Sequence, residues 1–237
     1  MNDLFKNRKA LYAGVAVAAI CIAVALVLVS VLGSGGKKKA STTNLPGVAA
    51  TAALFAGIPQ RLNELGNPKA SVTMVEFADL QCPFCHDYTI EVLPTIVQKY
   101  VRTGKVKLIF TGMHFVGADS EKGLRAVLAA GLQGKLWNAL DLLYKSQGQE
   151  NSGWVTDALL KSVGASIPGL DGAKMLADMS SAKVDNGLTS SDQEASKAGV
   201  NSTPTFFAGP TGGTLQHMDV TALTPAAFEP TLDSLLQ

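Results

Sequence analysis

The sequence predicts an α/β domain in which a strand–helix–strand unit and a closing strand–strand–helix unit flank an all-helical block. Three observations carry this. The β-type run Ser71–Phe77 leads into Cys82-Pro83-Phe84-Cys85 and a helical pattern that extends to Val101, with Val106–Thr111 as a second apolar run beyond it. Residues 119–199 then show recurrent helical patterns and no convincing strand. Only afterwards do β-type runs return, at Pro204–Ala208 and Thr214–His217, before a last helical pattern from Pro225 to Leu236.

The 237 residues allow one sizeable domain plus appendages. Charge is unevenly divided: residues 1–51 hold six Lys or Arg against one acidic residue, and the remainder holds fourteen against eighteen. A mildly acidic folded part argues against nucleic acid as a partner. The chain has three cysteines, Cys21, Cys82 and Cys85, too few for a disulfide-stapled scaffold.

Residues 1–9 form a short segment with Lys6, Arg8 and Lys9, followed by 23 uncharged residues, 10–32. At ~1.5 Å per residue such a helix reaches about 35 Å, enough to cross a hydrocarbon core of ~30 Å. The run is long for a cleavable signal and lacks a good small-residue cleavage site, so it reads as an uncleaved single-pass anchor. Cys21 inside it reads as an inert buried thiol, and a lipoprotein reading fails because bulky Ile20 precedes it and the apolar run continues to Leu32. Lys37-Lys38-Lys39 balance the basic residues on the other side, so charge alone leaves the orientation open. Residues 33–51, with Gly33-Ser34-Gly35-Gly36 and Ser41-Thr42-Thr43-Asn44, read as a flexible tether to a domain spanning 52–237.

Within that domain, Gly57–Gly66 reads as a short edge strand ending in the turn Gly66-Asn67-Pro68. The first strand–helix–strand unit implies parallel pairing of its strands through a right-handed crossover, with Pro94 interrupting the helix. Five helices fill the insert, over Glu121–Leu132, Leu136–Lys145, Thr156–Val163, Ala173–Met179 and Val184–Ala198.

Cys82-Pro83-Phe84-Cys85-His86 admits four chemistries. A Cys-x-x-Cys pair at a helix start reads as a redox dithiol, because the unsatisfied N–H groups and the helix dipole favour a thiolate there. Pro83 suits the first helical turn, where its missing N–H has no partner to lose. The same five residues match c-type haem attachment, but a β-type run precedes them and no methionine among Met175, Met179 and Met218 stands out as an axial ligand. A zinc site needs two more ligands, and His114 and His217 are isolated. The fourth reading is an inert thiol pair.

Two distant features favour redox chemistry. Pro204 opens an apolar strand, where it cannot donate to a ladder and needs another reason to be present. Glu76 lies in an apolar strand six residues before Cys82. A carboxyl there has its proton affinity raised and can move protons near neutral pH. Asp79 and Asp87 read as cap and surface residues. His86, in the first helical turn, reads either as a thiolate-stabilising cation or as a plain exposed histidine.

With these residues in view, the chain resembles the DsbA-like branch of the thioredoxin superfamily. The likeness rests on Gly66–Ala70, Val75–Cys85, Gln133–Trp137 and Gly199–Phe207, and covers Leu54 to Gln237. It implies a thioredoxin fold interrupted by a helical insertion domain at about 119–199, here preceded by a single N-terminal transmembrane helix. It implies Cys82 as the exposed nucleophile, Cys85 as the resolving thiol, Pro204 as a cis-proline facing the pair and Glu76 as a buried acid. Thr203, Pro83, Phe84 and His86 are the expected substrate contacts. No metal and no cofactor beyond the Cys82–Cys85 disulfide is expected. The implied activity is protein thiol:disulfide exchange, in the first instance oxidation of reduced exported proteins, with a quinone-linked membrane reoxidase as partner. An oxidising dithiol belongs outside the cytoplasm, which orients the anchor with residues 1–9 inside. A reductase or isomerase, or a non-catalytic module on the same fold, is the alternative.

Overall fold

The structure, a computed structural model, describes residues 45–237. The expected membrane span at 10–32 and most of the expected tether lie outside the described residues. Among the described residues no helix is long and apolar enough to cross a membrane.

Helix α1, Val48–Phe55, begins within the stretch expected to be tether. Four of its eight residues are alanine and Arg102 completes its C-terminal end, donating to Ala53 O, Leu54 O and Ala56 O at 3.4, 2.7 and 2.9 Å. Thr51 on its buried side bonds Asp141, which also pairs with Lys145. Its helical spacing is weakly amphipathic, so tertiary contacts rather than a sequence pattern secure it.

The edge predicted as one strand is a hairpin. β1, Gln60–Arg61, pairs antiparallel with β2, Glu64–Leu65, and Leu62 turns between them at φ 52°. Asn63 Nδ2 donates to Phe110 O at 2.9 Å and the Trp137 indole to Asn63 O at 3.2 Å, which holds the turn against its neighbours.

β3, Val72–Asp79, is the middle of the sheet and all eight residues are buried. It pairs in parallel with β4, Val106–Met113, as the crossover implies, and antiparallel with β5, Thr205–Pro210. The two-residue β6, Gln216–His217, pairs with β5 and completes the order β1-β2-β4-β3-β5-β6. Alternation sorts β3 by face. Val75 and Phe77 pack with Ile109 and Phe207 on one side, whereas Met74 and Ala78 enter the main core.

The crossover helix is one run of four pieces: α2, Pro83–Asp87, a π-helical turn at Tyr88–Val92, α3, Leu93–Ile96, and a second π turn at Val97–Val101. Pro94 has no N–H to offer the preceding turn, and Leu93 N–H instead reaches five residues back to Tyr88 O. The proline thus rewinds the helix without ending it.

The insert holds α4, Ala118–Gly131, α5, Leu136–Lys145, α6, Asp157–Ser166, α7, Gly172–Asp178, and α8, Ala182–Ala198. Thr156, Asp171 and Ser181 cap α6, α7 and α8 through their side chains. Gly187 lies inside α8; its Cβ position would lie against the Leu128 side chain, so it serves close packing. α8 ends at Gly199, whose φ of 69° is the left-handed turn that releases the chain toward β5. Helix α9, Pro225–Leu235, closes the chain and buries Phe228 and Leu232.

Candidate active site

The turn from β3 into α2 brings the sequence-predicted residues together. Asp79 ends β3 and Cys82 is the N-cap of α2, with Pro83 at its first position. Asp79, expected to be a cap or surface residue, is fully buried and organises the turn. Its carboxylate accepts from Gln81 N at 2.8 Å and Val116 N at 3.3 Å, and its carbonyl accepts from Cys82 N at 3.0 Å. Strand ends expose N–H groups, and a buried carboxylate answers them. Asp87, by contrast, is exposed.

Both cysteines are free thiols in this structure. Cys82 is 6% exposed and Cys85 0%, so the expected exposed nucleophile is only slightly open to solvent. The cover comes from across the sheet end: Cys82 Sγ donates to Thr203 O at 3.4 Å. The Thr203–Pro204 bond is cis. Thr203 and Pro204 therefore face the cysteine pair although more than a hundred residues separate them in the chain.

The two thiols are driven apart in acidity. The Cys82 thiol is lowered to about 6, first by a hydrogen bond from Cys85, then by the side chain of Thr203 and the backbone N–H groups of Cys85 and Phe84, with partial burial opposing. Cys85 is pushed well above the ordinary thiol range, first by burial and then by its bond to Cys82. One sulfur is thus an anion near neutral pH and the other keeps its proton.

Glu76 lies on the same face as Cys85, 3% exposed. Its cross-strand neighbours are Phe110 on β4 and Phe206 on β5, both buried. With rings on either side, its carboxyl rises to about 8, first through burial and then through the charge of Cys82. Its Oε1 is buried without a hydrogen-bond partner. Tyr88, packed on Phe206 and Phe228 with ring centroids 4.6 and 5.4 Å away, also has a buried hydroxyl without a partner.

The rim is apolar. Phe84 is 61% exposed and Pro83 is exposed beside it. A groove of about 550 Å³ starts at Phe84 and passes Pro204 and Phe206 to Met218, Val220 and Leu223. His86 turns toward Asp87, with Nδ1 and Oδ1 3.1 Å apart, and is absent from the contacts that set Cys82. Among the described residues, no group of three or more His, Cys, Asp or Glu is placed to hold a metal ion.

Several site residues carry no sequence signal. Gln147 and Tyr144 reach the turn from the insert, and Met218 and Val220 line the groove after β6. None belongs to a motif, because only the packing of the insert and of the last loop brings them in.

The comparisons agree with this geometry. The family model described as Thioredoxin matches residues 61–221. The chain is 31% identical over 165 residues to the probable disulfide bond formation protein D of Bacillus cereus, covering 68% of this chain and 75% of that protein. The crystal structure of oxidised BdbD from Bacillus subtilis superposes with a TM-score of 0.64 at 20% identity, over 76% of this chain and 97% of that one. Wolbachia pipientis alpha-DsbA1 gives 0.62 at 23% identity, over 73% and 90%. A strand-end dithiol of split acidity, faced by a cis-proline and backed by a buried acid, therefore has its relatives among disulfide-forming proteins, and this chain belongs to the thioredoxin family as a DsbA-like thiol:disulfide oxidoreductase.

Proposed function

We propose that the protein is a membrane-anchored, extracytoplasmic oxidase that introduces disulfides into exported proteins. The observation that carries the direction is the split acidity of the pair, with Cys82 lowered to about 6 beside a Cys85 raised well above its ordinary range. A stabilised Cys82 thiolate stabilises the reduced form, and that makes the Cys82–Cys85 disulfide a stronger oxidant.

The chemistry balances as a two-electron transfer. A substrate thiolate attacks Cys82 Sγ, the bond between Cys82 and Cys85 breaks, and Cys85 leaves as a thiolate. Cys85 binds its proton more tightly than the Glu76 carboxyl, so Glu76, still protonated at pH 7, supplies it. A second substrate thiolate then attacks the substrate sulfur of the mixed disulfide, and Cys82 leaves as its stabilised anion. The substrate dithiol is oxidised and the protein's disulfide reduced. Phe84, Pro83, Thr203 and the groove beyond Pro204 receive an extended segment of substrate. The expected anchor at 10–32 keeps the domain at the membrane, where a quinone-linked reoxidase returns the dithiol to the disulfide.

The test is the equilibrium of the Cys82–Cys85 pair with glutathione. The reading expects a potential well above the ~−270 mV of thioredoxin, toward the ~−120 mV of strong oxidants. A thioredoxin-like value would make the protein a reductase instead. Labelling of Cys82 by a membrane-impermeant thiol reagent in intact cells tests the side of the membrane, and labelling only after lysis defeats that part.

A further inference from the structure

The turn that carries Cys82 is held from outside its own helix. Gln147, two residues beyond the end of α5, donates its side-chain amide to Leu80 O at 2.8 Å and to Cys82 O at 3.1 Å. The Tyr144 hydroxyl, one turn earlier on α5, donates to Asp79 O at 3.1 Å. Of the four carbonyls from Asp79 to Cys82, the insert thus engages three. Gln147 is half-buried and is the side chain that bridges two of them.

We propose that Gln147 is a positioning residue for thiol–disulfide exchange, holding the Leu80 and Cys82 carbonyls so that the first turn of α2 stays aimed at the Cys82 sulfur. The inference rests on dithiol chemistry at Cys82 and Cys85 and does not depend on its direction. Two physical effects follow from the two bonds. Carbonyl oxygens carry partial negative charge, and paired with the amide they oppose a nearby thiolate less than they do unpaired. The second effect is orientation. Cys82 O also accepts from His86 N at 3.2 Å, as the first bond of α2. Anchoring that peptide fixes the N-terminal turn whose Phe84 and Cys85 N–H groups stabilise the sulfur. One side chain of the insert thus sets the geometry of the nucleophile on the thioredoxin core.

The test compares Gln147→Met, which keeps the length and removes both donors, with Gln147→Lys, which keeps donors for both carbonyls. The readouts are the pH titration of the Cys82 thiolate, the equilibrium constant with glutathione, and the melting temperatures of the oxidised and reduced forms. In the Met variant the thiolate should titrate at higher pH. Its equilibrium constant for oxidising glutathione should fall about three- to tenfold, the usual worth of one to two hydrogen bonds. The reduced form should lose more melting temperature than the oxidised form. The Lys variant should titrate at or below the wild-type pH. A Met variant with wild-type titration and equilibrium, whether or not both forms melt lower, overturns the proposal, as does a Lys variant weakened like Met. A wild-type protein that proves weakly oxidising would defeat the oxidase reading alone, since the effect of Gln147 is read as a change from wild type.

Discussion

Cys82 Sγ and the carbonyl oxygen of Thr203 lie 3.4 Å apart, with the thiol donating. The contact joins the start of α2 to the residue before the cis-proline, across 121 positions of chain. Only the thiol can make this bond, because a thiolate or a disulfide sulfur has no proton to give. Ionisation or oxidation of Cys82 thus frees the Thr203 carbonyl to accept from an incoming peptide N–H. The same event that makes the sulfur reactive opens an edge on which an extended segment can pair.

Alkylation should read the state of that sulfur directly. In the reduced protein, Cys82 should react with iodoacetamide in a pH profile with its midpoint near the value of about 6. Cys85 should stay silent over the same range, being buried and held well above the ordinary thiol range. Because the largest acidifying contact comes from Cys85, Cys85→Ala should move the midpoint upward. A depressed folded value makes the reduced form gain stability as pH rises from about 6 toward the unfolded thiol's 9.0, and lose it as pH falls through 6. Because Glu76 titrates with the opposite sign, the check is the reduced wild type against reduced Cys82→Ser, and a difference in stability that is flat between pH 6 and 9 would contradict this.

Glu76 works with the opposite sign. Its folded value of about 8 lies above the 4.5 of the unfolded chain, so its contribution is fully present below pH 4.5 and is lost as pH rises through 8. Glu76→Leu places an apolar side chain between Phe110 and Phe206 and removes the titration. Measured on the oxidised protein, where thiol ionisation does not enter, its stability gain should be on the order of 3 kcal/mol larger at pH 9 than at pH 5. The same variant should slow release of Cys85 as a thiol during exchange. An equal gain at both pH values would mean that Glu76 is not held protonated.

Phe84 separates binding from folding. It is 61% exposed, so Phe84→Ala should change stability by no more than ~0.5 kcal/mol. It also begins the groove that runs past Pro204 to Leu223. Losing a ring that substrate buries should weaken capture of a reduced peptide by about tenfold, seen in KM with the glutathione equilibrium unchanged. A shift in that equilibrium without a change in KM would assign Phe84 to the redox pair instead.

Much of the fold and of the site is legible in the amino-acid sequence. The β-type run ahead of Cys82, the proline opening the strand at Thr205 and the carboxyl inside an apolar run each violate a local rule, and such violations mark functional positions. The five insert helices are readable because their helical spacing is local, and three of them also have a local side-chain cap. What sequence reasoning misses has a common cause in long-range packing. Helix α1 depends on Arg102 and Asp141, far along the chain. The hairpin at Gln60–Leu65 is pinned through Asn63 by Phe110 and Trp137. Asp79 reads like a surface cap because nothing nearby in the chain says that the N–H groups of Gln81 and Val116 need an acceptor there. Gln147 stands just past a helix in a polar stretch, and only the docking of the insert gives it carbonyls to hold.

Two buried tyrosines should respond to the same substitution with opposite signs. Tyr144 donates its hydroxyl to Asp79 O at 3.1 Å, so Tyr144→Phe removes one of the two bonds to a carbonyl that keeps Cys82 N, and should cost about 1 kcal/mol. Tyr88 is equally buried, yet its hydroxyl has no partner, and neither has the Oε1 of Glu76, whose charge helps push the Tyr88 phenol upward after burial itself. An unpaired hydroxyl in an apolar setting between Phe206 and Phe228 is a cost carried by the fold. Tyr88→Phe keeps the ring and its packing and removes that cost, so stability should hold or rise by about 1 kcal/mol. Chemical denaturation of the two variants decides the matter. A loss of more than ~1 kcal/mol in Tyr88→Phe would mean that the hydroxyl is paired in solution, with the Glu76 carboxyl, whose charge acts on it, as the candidate. In that case the acid behind the cysteine pair shares its proton with a phenol, and the exchange rate of Tyr88→Phe should fall together with its stability.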